Sequence, residues 1–245
     1  MTVAEGSERR VIPRRLVSWV VFLAAAIVNG GLLWHFHDRY WYPTDDGLYA
    51  NIAERLLSRE ILNLDVQDIH PGYIHFLHAA AFRIFGRDIV SLRYPLILAG
   101  FVQTCFVYAL LQRRSIVLAA CGSIAMTALG VIQFVDPTPN WYALSLCVIL
   151  ACWMTWLPLS NPLRLVGAGF WVGVLALFRQ LSGVWAAMAV LVLVLIERSG
   201  RSRGPEGGWL ARALPLIMLT AVIAYLVFSP ETEPEIGRAS CRERV

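Results

Sequence analysis

The chain has 245 residues, of which 58% are hydrophobic and 16% charged, with a formal net charge of +4. A mean hydropathy of +0.60 excludes an ordinary soluble domain. The basic side chains are all arginine, as expected from a GC-rich, bacterial genome, and they sit in short turns and do not form a nucleic-acid patch.

Apolar residues come in blocks long enough to cross a hydrocarbon core, which takes about 20 residues of helix. The first block runs from Leu16 to Phe36, behind Arg9, Arg10, Arg14 and Arg15. It is too long for the apolar core of a secretory signal and no A-x-A-like site closes it. The positive-inside rule places residues 1–15 in the cytoplasm as a short tail and the segment after the block outside.

That segment, about 37–93, is the polar part of the chain. Asp45-Asp46-Gly-Leu-Tyr49 opens it, His70-Pro71-Gly72 lies in the middle, and Arg93-Tyr-Pro closes it. A helix is expected from near Gly47 to about Ser58, capped by Thr44 or Asp45, with Leu48, Ile52 and Leu56 on one face. Residues 72–86 are short for a crossing and carry His75, His78 and Arg83. A helix lying at the outer interface fits them better, with both histidines on one face.

With that helix outside, the second crossing is 94–111, and Arg113-Arg114 falls in the cytoplasm. Further crossings follow at about 116–135, 141–157, 165–178, 181–196 and 213–228, giving about seven in an all-α integral membrane protein. Arg164, Arg198, Arg201, Arg203 and Arg212 then face inward. Arg179 is the exception, in an outer turn, as is the turn Asp136-Pro-Thr-Pro-Asn140 before Trp141. Within the crossings Gln103 and Gln133 are read as the most polar residues.

Four cysteines (Cys105, Cys121, Cys147 and Cys152) lie within apolar blocks, without metal-ligand or disulfide spacing. Residues 235–245 back-translate to a string resembling a sequencing adapter. They are set aside as non-native, which makes 16–234 the membrane module and the chain an expected fragment.

The chemistry is expected in the outer loop. A tandem carboxylate pair at a membrane surface can take a proton from a hydroxyl or amine, or hold a divalent cation. A plain capping role for one of the two is the competing reading. Tyr49 follows the pair as a candidate substrate contact. His70 is a candidate contact or a turn residue. Arg93 is either a snorkelling anchor or a phosphate ligand. Arg179, a cation kept on the outer side, calls for an anionic partner: a lipid phosphate or a carboxylate of the loop.

The order of these residues resembles the first outer loop of GT-C membrane glycosyltransferases, in particular the protein O-mannosyltransferase and aminoarabinose-transferase group. In that group the loop begins with an acidic pair, usually Asp-Glu, continues with His-Pro-Pro or Lys-Pro-Pro, and ends on an Arg opening the second crossing. Asp46 stands where Glu is usual, and Gly72 where the second Pro is usual. The resemblance implies that Asp45 is the base that deprotonates the acceptor, and that Arg179 meets the donor phosphate. It further implies a polyprenyl-phosphate sugar donor, an extracytoplasmic acceptor, an inverting displacement, a multi-pass place in the bacterial inner membrane, and no nucleotide; a divalent cation stays open. The alternatives are a transporter or lipid flippase, disfavoured by the scarcity of ionisable residues in the crossings, and a non-catalytic scaffold.

Overall fold

Eight α-helices run through the residues described by the structure, a computed structural model covering 14–39, 43–67, 73–133 and 135–198. They are α1 (Arg14–Phe36), α2 (Pro43–Leu57), α3 (Tyr73–Phe85), α4 (Tyr94–Leu111), α5 (Ile116–Leu129), α6 (Pro139–Trp156), α7 (Pro162–Phe178) and α8 (Gln180–Arg198). Short 3₁₀ turns precede α4 (Ile89–Arg93) and follow α5 (Val131–Gln133). Among the described residues an isolated Leu62–Val66 bridge is the β feature recorded. The expected crossing at 213–228 and the tail at 235–245 lie outside them.

Among the described residues four helical segments are long and apolar enough to cross a membrane: Arg15–Phe36, Ile89–Leu111, Ile116–Gln133 and Gln180–Arg198. The α7 helix is apolar but has 17 residues, about 26 Å at 1.5 Å per residue and marginal for a roughly 30 Å core. The α6 helix, with 18 residues, opens on the polar Pro-Asn-Trp-Tyr. The chain is thus a multi-pass, helical membrane protein.

Helix ends follow local chemistry. Pro stands in the first turn of α4, α6 and α7, where its missing N–H costs nothing. Ser115 and Asn161 cap α5 and α7 through their side chains. The α3 helix stops at Gly86, whose φ of +100° is one that a β-carbon resists.

The long helices alternate in direction, and polar contacts mark the two ends of the bundle. At one end Ser18 donates to Gln112, Arg113 donates to the Trp156 carbonyl, and Arg164 forms a two-pronged pair with Glu197 at 2.7 and 2.9 Å. The start of α1 is here too, so Arg113, Arg164 and Arg198 lie at the same end of the bundle as the beginning of α1. At the other end lie α2, α3, the 135–138 turn and Arg179.

Small residues let the helices approach. A β-carbon at Gly167 would come within 2.4 Å of the Trp153 ring, and one at Gly183 within 2.5 Å of Ala176. The α1–α5 contact holds a polar pair that the sequence reading overlooked. Asn29 is 2% exposed and its side-chain oxygen accepts from the Thr127 hydroxyl at 2.9 Å. Buried amides that bond across helices hold the pair together in a medium with no water to replace the bond. Gln133, in contrast, is exposed at a helix end.

Candidate functional site

The α2 helix begins at Pro43, earlier than expected, because a proline suits a first turn. Asp45 and Asp46 therefore lie in that turn and not at the cap, where their charges still complement the helix dipole. The inward face carries Asp46, Tyr49, Ile52 and Ala53, each at most 3% exposed. Leu48 points outward at 48%, so it does not share the face of Ile52. The ion pair below fixes this rotation.

Arg93 ends the 3₁₀ turn and is fully buried. Its guanidinium donates to the Asp46 carboxylate at 2.8 Å and to the backbone carbonyls of Arg39 at 2.7 Å and His37 at 3.3 Å. One side chain thus ties together the end of α1, the start of α2 and the start of α4. Arginine suits this task because its planar fork offers five donors in fixed directions. This environment differs from that of a snorkelling anchor, whose charged end stays in water.

Asp45 is half-buried, and among the described residues it takes part in no hydrogen bond or ion pair. Of the two acids it is the more exposed. His70 lies outside the described residues.

The α3 helix turns its histidines inward. His75 and His78 are both fully buried, whereas Tyr73, Phe76, Ile84 and Phe85 are more than half exposed. The Tyr49 ring lies 5.5 Å from that of His75 and 5.3 Å from that of His78. His78 also meets Tyr142 of α6 at 6.3 Å, and Tyr142 stacks on Phe178 at 5.1 Å. Burial pulls the His78 imidazole down to about 3, His75 adds to the shift and the Pro137 carbonyl opposes it. His78 is therefore neutral near pH 7.

Phe178 leads directly into Arg179, a half-buried residue that closes α7 and donates through Nη1 to the Asn140 side-chain oxygen. The Asp136 turn is deeper than expected for an outer turn: Val135, Asp136 and Thr138 are each no more than 8% exposed. The turn is covered because α3 folds over it, a packing with no signal in local sequence. The i, i+3 spacing of His75 and His78 was the available clue to their shared face, while Tyr142 carried none. Among the described residues no group of three or more His, Cys, Asp or Glu side chains is arranged to hold a metal ion.

A comparison with protein-family models assigns the chain to the membrane glycosyltransferases of the GT-C type. The chain belongs to the dolichyl-phosphate-mannose-protein mannosyltransferase family, whose model matches residues 69–232. That stretch includes His75, His78, Arg93, Asn140 and Arg179, while Asp45 and Asp46 precede it. No curated protein and no solved structure matches the chain.

Proposed function

We propose that the protein moves a sugar from a polyprenyl-phosphate donor to an acceptor on the outer face of a bacterial inner membrane, with its N-terminus in the cytoplasm. The observation that carries this reading is the position of Asp45. It is an accessible carboxylate on a helix anchored by a buried ion pair, at the same end of the bundle as Arg179. Family membership supports glycosyl transfer, and the gathering of arginines at the opposite end supports the orientation.

In the proposed reaction the Asp45 carboxylate takes a proton from the acceptor O–H or N–H. The acceptor atom attacks the anomeric carbon as the bond from that carbon to the phosphate oxygen breaks. One displacement inverts the anomeric centre and leaves a polyprenyl phosphate. Arg179 holds the charge that grows on the phosphate, with Asn140 fixing the direction of its guanidinium. Asp46 and Arg93 hold Asp45 in place, and Arg93 has enough protein acceptors that it serves as a strut more readily than as a phosphate ligand. His70 is a further proposed substrate contact, whereas Tyr49, 3% exposed and packed on His75 and His78, supports the acids from behind.

The test is sugar transfer by the full-length protein in lipid vesicles from a labelled polyprenyl-phosphate sugar. Asp45→Asn abolishes transfer while leaving membrane insertion and melting unchanged. Retained transfer would remove Asp45 from the role of base.

A further inference from the structure

We propose that His78 is a positioning residue: its ring is the spacer that sets the acid-bearing helix α2 against the Asn140–Arg179 corner of α6 and α7. The inference rests on the glycosyl-transfer reading and adds a residue to which that reading gives no task.

The argument is one of connectivity. Asp45 and Tyr49 are four residues apart on α2, one helical turn, so the attitude of the Tyr49 ring follows that of the carboxylate. The α2 helix packs on α3 and on the 3₁₀ turn Ile89–Arg93. Two routes therefore lead from the acids into the bundle. One is the Asp46–Arg93 pair, which reaches α1 and α4. The other passes from Tyr49 through His78 to Tyr142 and Phe178, next to Arg179, with ring centroids 5.3, 6.3 and 5.1 Å apart. Asn140, the acceptor for Arg179, is two residues from Tyr142. The first route fixes where the acids stand. The second fixes how far they stand from the cation opposite.

A flat, uncharged ring suits that place. His78 is fully buried between two aromatic side chains, and interiors packed this closely pass on displacement instead of absorbing it. Base and phosphate ligand act on the same transition state from opposite sides, so a change in their spacing falls on kcat more than on donor affinity.

The experiment compares His78→Ala and His78→Phe in the full-length protein, with His78→Leu replacing the alanine variant should that one not fold. Transfer from a polyprenyl-phosphate sugar is followed together with amide hydrogen exchange in α2 and α5. His78→Ala is expected to lower kcat about 10- to 100-fold while donor KM moves less than about threefold. Exchange should rise in α2 and stay as it was in α5. His78→Phe, which keeps a ring between Tyr49 and Tyr142, is expected to restore both kcat and the protection of α2. Wild-type kcat in His78→Ala overturns the proposal. So does a His78→Phe enzyme as slow as the alanine variant, since the imidazole itself would then be needed. The exchange arm stands even if Asp45→Asn keeps transfer activity: unchanged α2 exchange in His78→Ala sinks the spacer role alone.

Discussion

Arg93 Nη2 lies 2.8 Å from Asp46 Oδ2, with the two side chains 0% and 2% exposed. Removing one partner leaves a bare charge in a site that water does not reach, which costs about 3–5 kcal/mol. Arg93→Leu and Asp46→Leu should each melt well below the parent in detergent. The double variant should regain part of that loss, because no buried charge remains. A double variant whose loss equals the sum of the two single losses would show that the pair is not coupled.

Arg179 should act on the donor and not on folding. Arg179→Ala removes a half-buried cation held by Asn140 and is expected to raise donor KM and lower kcat, together costing about 2–4 kcal/mol in kcat/KM. Asn140→Ala leaves the charge but frees its direction, so a smaller loss in kcat is expected. Steady-state kinetics with varied donor separates the two.

Acid should loosen the α3 packing through His78. An ordinary histidine titrates near 6.5, and in the fold this one is drawn down to about 3. Above pH 6.5 both folded and unfolded states hold it neutral, and its burial carries no proton penalty. Between pH 6.5 and 3 only the unfolded state takes up the proton, so stability falls with pH at up to about 1.4 kcal/mol per unit. His78→Phe should flatten that part of the stability profile, as measured by melting from pH 7 to pH 4.

Two glycines of α7 should behave oppositely. Gly167 faces Trp153, where a β-carbon would come within 2.4 Å of the ring, whereas Gly169 has nothing within 4 Å. Gly167→Ala should destabilise by about 1–3 kcal/mol through overpacking. Gly169→Ala should be neutral or slightly stabilising, since alanine is the better helix former. Thermal melting of the two variants decides the matter.

Local pattern carried much of the fold because the bilayer demands uninterrupted apolar helices, and arginine placement constrains their direction. The helices α1, α4, α5 and α8 are legible for that reason, as is the shared face of His75 and His78. The features that were missed depend on distant packing. The rotation of α2 is set by Arg93, 47 residues from Asp46, so no window around Leu48 could show that this leucine faces outward. Asn29 was overlooked because its partner Thr127 is 98 residues away in the chain. The acids were found by their position in the loop, but which of them is locked and which is accessible was visible only once the chain had folded.

The strut formed by Arg93 has a mechanical side. Its guanidinium holds carbonyls at the outgoing end of α1 and a carboxylate in the first turn of α2. With its 23 residues, α1 is about 34 Å long, a few ångströms more than a typical hydrocarbon core. A helix of that length accommodates the bilayer by tilting or by thickening the lipid around it. The vertical position of Asp45 is thereby tied to the depth at which α1 rides, making lipid thickness a determinant of where the carboxylate meets the headgroup plane.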